Sequence, residues 1–399
     1  LAPRFGAGRK EERMKGSITM KVMLAVLAMA LAVPPVFAQK TLLIGNMQDL
    51  SGATSVWGNA VRKGAELAIE RLNKQGGVLG MKLELKSYDV KTDPQEAINA
   101  YNRLTGSDKV AVIIGPPISN IGLAITGLTE QKKVAVLGSF IDPRVTVKPD
   151  GTPHPYMFLM QPSSIQYAEI LADYGSKKLG LKKVATFYNQ ANAFAVSQVG
   201  PFKNLWVKNG GTVVLEQVYK AGDKDFKTQL SKIKEAGADA IYAPNYVQEL
   251  VLMLQQMDQV GLKIPVIGGL DFAPPFTTLL ADPKLADKIY FANNYSDTEP
   301  QLVEVRKDYQ QKYGEDPVNK VYLGYDSVMI IADAVKRAGS ADPVKIRDAL
   351  EKVSMLQGTT GVITISPKSH QPVGLSMVMY SIMEGKYNDL GRWVPDVHK

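Results

Sequence analysis

The 399-residue chain has no cysteine. That excludes a disulfide framework, a thiolate nucleophile, a Cys-ligated zinc or iron–sulfur cluster, and the acylated N-terminal cysteine of a bacterial lipoprotein. Histidine is scarce as well: His154, His370 and His398 are the full set, a poor basis for a metal site or an imidazole general base. The phosphate-binding glycine motifs are missing too. The first predicted strand runs into Asn46-Met47-Gln48-Asp49-Leu50-Ser51-Gly52 instead of GxGxxG, and GxxxxGK[ST] occurs nowhere. A nucleophile elbow is also lacking, since Gly374-Leu375-Ser376-Met377 fails at its last position.

The formal charge of +8 is no sign of nucleic acid. Residues 1–38 hold six basic side chains against Glu11 and Glu12, so half of the excess lies at the front. The remainder is an ordinary solubility charge, without the basic, aromatic-interleaved stripe of a nucleic-acid groove. That front segment reads as an export signal. Lys15 and Lys21 precede twelve apolar residues, Val22 to Val33, and Pro34-Pro35-Val36-Phe37-Ala38 follows. This is a basic n-region, an h-region and a small-residue cleavage site, which places cleavage after Ala38 and the mature protein in the periplasm. A membrane anchor would need about 20 apolar residues. Met14 or Met20 is the expected start.

Beyond it, short β-branched runs alternate with helical patterns. Strands are predicted at 41–45, 82–88 and 110–115, and helices at 58–73 and 94–104. The order recurs 130 to 140 residues later, with strands at 184–188, 213–218 and 240–243 and helices at 197–209 and 226–236. Gly76-Gly77 and Gly210-Gly211 stop the corresponding helices. Such alternation implies parallel sheets covered on both faces, here in two α/β units of one plan. Amphipathic helices over 301–313 and 322–338 lie outside both units, so the C-terminal quarter is expected to complete them. Crossings are expected near Gln161-Pro162, at 293–296 and at Ser366-Pro367, making a hinge.

In open parallel sheets ligands sit beyond the carboxyl ends of the strands. The residues there are aromatic and hydroxylic: Trp57 before the first helix, Ser119 and Asn120 after the third strand, and Ser139, Phe140 and Ile141 after 134–137. The second unit offers Phe194, Tyr246 and Asp271. Hydroxyls and helix-end amides suit a carboxylate, rings make a wall, and an acid suits a cation. Packing for Trp57, helix capping for Ser119 and turn formation for Asp271 are the structural alternatives.

Leu50-Ser51-Gly52, Gly58, Gly64, Leu67-Ala68, Asn73, Gly76-Gly77, Gly80, Asp89, Asp93-Pro94, Ala97 and Gly115-Pro116 through Ser119 together resemble the opening pattern of periplasmic branched-chain amino-acid binding proteins. Asp223-x-Asp225-Phe226, Tyr246, Gly324-Tyr325-Asp326 and Gly358-Thr359-Thr360-Gly361 continue the resemblance, which covers 41–395. It implies a type I periplasmic binding protein fold, with two Rossmann-like α/β lobes joined by three crossovers. The lobes are expected over 39–161 plus 296–366 and over 162–295 plus 367–399. It also implies no catalysis, no cofactor and no metal, a small amino acid or organic carboxylate as ligand, and an ABC transporter permease as partner. A ligand sensor of the same fold is the alternative; an enzyme ranks third. Position by position, the resemblance makes Trp57 the first-lobe wall, Ser119 the carboxylate hydroxyl, and Phe194 and Tyr246 the second-lobe aromatics. Asp271, or Leu270 in a shifted register, takes the place of the ammonium partner. Phe140-Ile141-Asp142-Pro143 departs from the pattern by losing a hydroxyl and adding bulk. Either Ser139 compensates, or the ligand is not a plain aliphatic amino acid.

Overall fold

The computed structural model describes residues 1–3, 40–296, 298–373 and 376–395. The export segment, Gly374-Leu375 and His398 lie outside the described residues. Five strands open the first lobe: β1 (Thr41–Gln48), β2 (Lys82–Asp89), β3 (Val112–Ile114), β4 (Val136–Gly138) and β5 (Met157–Leu159). They form one parallel sheet in the order β2-β1-β3-β4-β5. The helices between them are α1 (Ser55–Lys74), α2 (Pro94–Gly106) and α3 (Ser119–Lys132). The central strands β3 and β4 are buried throughout because helices cover both faces, giving one apolar cluster with α1 and another with α2 and α3.

The second lobe repeats the plan. Its helices are α4 (Ser164–Asp173), α5 (Ala193–Lys208), α6 (Lys227–Glu235) and α7 (Val247–Gln259). Strands β6 (Lys183–Asn189), β7 (Thr212–Tyr219), β8 (Ala240–Tyr242), β9 (Val266–Gly268) and β10 (Ile289–Asn293) run parallel in the order β7-β6-β8-β9-β10, the order of the first sheet. The internal duplication read from the sequence is therefore a duplication of sheet topology.

The C-terminal quarter serves both lobes. Helices α8 (Val303–Tyr313), α9 (Asn319–Ala338) and α10 (Pro343–Leu350) return to the first lobe with the hairpin β11 (Leu356–Gly358) and β12 (Gly361–Ile363). Strand β13 (Met377–Met383) extends the second sheet antiparallel to β10, and β14 (Lys386–Trp393) pairs antiparallel with β13 at the sheet's edge. Helix α9 crosses α1 at backbone distance. A Cβ on Gly64 would lie 1.9 Å from the Val321 carbonyl oxygen, and one on Gly324 2.0 Å from that of Val61. Two separated sequence signals also meet here: buried Asp326 accepts from the Thr359 amide at 2.7 Å, the Thr360 amide at 2.9 Å and the Thr360 hydroxyl at 2.7 Å. The hairpin is thereby tied to α9 through backbone donors that would otherwise be buried unpaired.

Three helices start earlier than the sequence pattern suggests, α9 among them, at Asn319 instead of Tyr322. Helix α1 begins at Ser55 and α5 at Ala193, where the Asn192 side chain accepts from the Phe194 amide. Trp57 therefore sits inside a first turn instead of before it, and Phe194 likewise. Gly58, the expected start of α1, is carried inside the helix, as is Ser197, the expected start of α5. The third crossing also lies later than Ser366-Pro367. His370 stacks on Phe158 of the first lobe at 4.1 Å, and the Leu159 amide donates to the His370 carbonyl, so the chain stays on that lobe past Pro367. Met160 to Pro162, Asn294 and Pro372 with Ser376 line one small space, which brings the three passages side by side.

Candidate functional site

A cavity of about 630 Å³, counting the space at its mouth, opens between the carboxyl ends of the two sheets. The first lobe contributes the end of β1 (Gln48), the entry to α1 (Thr54, Trp57), the entry to α3 (Pro117 to Ser119), and the segment after β4 (Ser139 to Ile141). Gln161 from the first crossing and Lys320 from the start of α9 complete that side. Opposite lie Tyr167 of α4, Phe194 and Gln198 of α5, Tyr246 before α7, and Gly269 to Asp271 after β9. This is the place that parallel α/β sheets reserve for ligands.

Eight of the nine residues expected from the sequence line this cavity. Asn120 does not; its side chain instead reaches the second lobe, donating to the Ala191 carbonyl at 3.2 Å and accepting from the Ala193 amide at 2.9 Å. Ser119 is no N-cap, since Ile118 holds that position. Its oxygen accepts from the Ile141 and Asp142 amides at 3.3 and 3.2 Å, which leaves its proton to be donated elsewhere. Ser139, by contrast, donates its proton to the Pro117 carbonyl at 3.0 Å, so the replacement donor expected of it is already engaged. Phe140 is almost wholly buried in the first-lobe core against Gly122 and Gly138, and only its edge reaches the cavity. Ile141 belongs to an apolar cluster otherwise built by second-lobe residues, Tyr167 and Leu270 among them. Both Leu270 and Asp271 face the cavity, so either alignment places a lining residue there.

Phe194 and Tyr246 form one wall, with ring centroids 5.1 Å apart. Among the described residues the Tyr246 hydroxyl is buried with no well-formed hydrogen bond, Asn192 being its polar neighbour, and both amide atoms of Gln48 are buried without a partner. Orphaned polar atoms beside a cavity are what a site looks like before its ligand supplies the missing bonds. Burial pushes the Asp271 carboxyl up to about 7, with Glu249 adding to the rise and the Lys320 charge and Trp57 indole opposing it. Lys320 is pushed down to about 8, burial outweighing the pull of Asp271. The Lys320 ammonium donates to Gln161 Oε1 at 3.2 Å.

Gln48, Thr54, Gln161, Tyr167, Gln198 and Lys320 were not anticipated. Lys320 left a faint trace, a charge at the head of an otherwise apolar helix, but the pattern started that helix at Tyr322. Gln161 was visible only as part of a crossing.

Two matching α/β lobes that enclose a mostly apolar cleft at their strand ends, joined by three adjacent passages, define a solute-binding protein that closes around its ligand. The periplasmic binding protein family profile matches residues 41–386, and the chain belongs to that family, which places it outside the cytoplasm. It is 27% identical over 343 residues to Leu/Ile/Val-binding protein homolog 3 of Brucella melitensis, covering 82% of this chain and 88% of the relative. It is 26% identical over 357 residues to the leucine-, isoleucine-, valine-, threonine- and alanine-binding protein of Pseudomonas aeruginosa, covering 89% and 93%. Among solved structures, the branched-chain amino acid transporter substrate-binding protein of Streptococcus pneumoniae in complex with isoleucine superposes with a TM-score of 0.80 at 28% identity, over 88% of this chain and 100% of that one.

Proposed function

We propose that the protein captures a small organic acid with an apolar body, an amino acid or a close relative, and delivers it to an ABC transporter permease without altering it. The carrying observation is the pairing of Ser119, whose oxygen is occupied and whose proton is free, with the start of α3, while Asp271 stands on the other lobe. A carboxylate at Ser119 receives an O–H bond and the favourable field of the helix start. Trp57, Phe194 and Tyr246 then shield the apolar body. Relatives named for leucine, isoleucine and valine support an amino acid as ligand. The export signal with cleavage after Ala38 fits the same reading.

The test is a thermal-shift screen of residues 39–399 against amino acids, small amides, and aliphatic and aromatic acids. A ligand at 100 times its dissociation constant adds about 2.7 kcal/mol, a rise of several degrees for a protein of this size. Shifts confined to amides or amines would reject a carboxylate site at Ser119.

A further inference from the structure

We propose that Lys320 anchors the ligand carboxylate and, with Asp271 across the cavity, makes the site select a zwitterion, an apolar α-amino acid over its deaminated acid or its free amine. The inference rests on the reading of the cavity as a site for a small carboxylate. Lys320 is half-buried on the cavity wall, and its ammonium donates to a single acceptor, Gln161 Oε1 at 3.2 Å. Among the described residues, two of its three N–H donors are left without a partner. Gln161 in turn donates from Nε2 to the Ser139 carbonyl, and the Ser139 hydroxyl donates to the Pro117 carbonyl. A single glutamine thus links Lys320 to the strand end that faces the start of α3, which places its charge on the Ser119 side.

That side is short of donors. Ile141 has no hydroxyl, and the proton of Ser139 is engaged, so Ser119 stands with the α3 amides alone. Lys320 supplies the missing donor and a charge to match the carboxylate. The charge balance points the same way. Among the described residues neither Lys320 nor Asp271 closes an ion pair with the other, although each acts on the other's charge. A zwitterion gives both an opposite partner. A deaminated acid leaves Asp271 without a cation, and a free amine leaves Lys320 without an anion; unpaired charge in a closed apolar cleft is unfavourable.

Calorimetry near neutral pH with leucine and phenylalanine, with 4-methylpentanoate and 3-phenylpropanoate, and with 3-methylbutylamine tests this. The wild-type protein is expected to bind the amino acids at least about tenfold more tightly than the other probes. Lys320→Met should weaken amino-acid binding about tenfold or more without lowering the ligand-free melting temperature, and Lys320→Arg should restore part of the loss. Gln161→Glu, which gives Lys320 a resident carboxylate, should weaken the same ligands and serves if Lys320→Met fails to fold. Unchanged affinity in Lys320→Met, or equal affinity of the wild type for an amino acid and its deaminated acid, overturns the proposal and leaves the carboxylate site standing. Wild-type binding of none of the carboxylates overturns the site reading and this proposal together.

Discussion

Asn120 Oδ1 accepts the Ala193 amide at 2.9 Å across the cleft, while its Nδ2 donates to the Ala191 carbonyl at 3.2 Å. The three residues sit where the starts of α3 and α5 face each other, so the carboxamide latches one lobe to the other. Both bonds exist only when the lobes are close, so they favour the closed state selectively. Each is worth about 0.5–1.5 kcal/mol net. Asn120→Ala should therefore speed ligand dissociation roughly tenfold, with little effect on the melting temperature of the free protein. Stopped-flow dissociation rates equal to wild type would rule out a latch.

Trp57 and Tyr246 meet the cavity from opposite lobes. Replacing either by alanine removes apolar area from the closed cleft and should weaken binding by about 1–3 kcal/mol. Unchanged calorimetric affinity in both variants would place the ligand elsewhere.

Asp271 gives the protein a pH signature. Its folded carboxyl titrates near 7, above the ordinary carboxylate value, because burial disfavours the charge. The folded state therefore holds a proton that the unfolded state has released, and this contribution to stability is full below about pH 4 and lost as pH rises through about 7. The groups facing it are Lys320 from α9, Trp57 from α1, Glu249 from α7, and Tyr246 and Tyr167. Urea unfolding of the ligand-free protein should show stability falling across this window by up to about 1.4 kcal/mol per pH unit, a slope that Asp271→Asn removes. Amine-bearing ligands need the ionised carboxylate, so their affinity should rise over the same range in wild type and stay flat in Asp271→Asn. A slope that survives the substitution would assign it to another group.

Much of this was legible in the chain before any coordinate. Strand–helix alternation and its recurrence gave the two lobes, because parallel sheets leave few other ways to cover both faces. Trp57, Phe194, Tyr246 and Asp271 were visible because lining positions follow strand ends, a rule that topology enforces. Lys320 and Gln161 escaped because they reach the cavity from α9 and from a crossing, segments whose placement depends on the chain returning from the C-terminal quarter. Asn120 lies off the cavity for a simpler reason: the neighbour Ser119 turns inward at the helix start, which directs Asn120 to the opposite lobe. Sequence spacing does not resolve a rotation of one residue about a helix axis.

The contact between α1 and α9 permits a stability test remote from the ligand. At Gly324 a methyl group would lie 2.0 Å from the Val61 carbonyl oxygen and 2.8 Å from Val61 Cα, both backbone atoms that cannot swing aside as a side chain can. Helix α9 must then shift away from α1, opening the buried contact that holds the C-terminal quarter on the first lobe. Gly324→Ala gains helix propensity of about 1 kcal/mol, but overpacking costs about 1–3 kcal/mol or more, and here the displaced atoms belong to two long helices. Net destabilisation of about 2 kcal/mol in urea unfolding is expected. Because Lys320 opens α9 one turn earlier, affinity for ligand should fall with it. A variant as stable as wild type would mean that the two helices do not approach at backbone distance in solution.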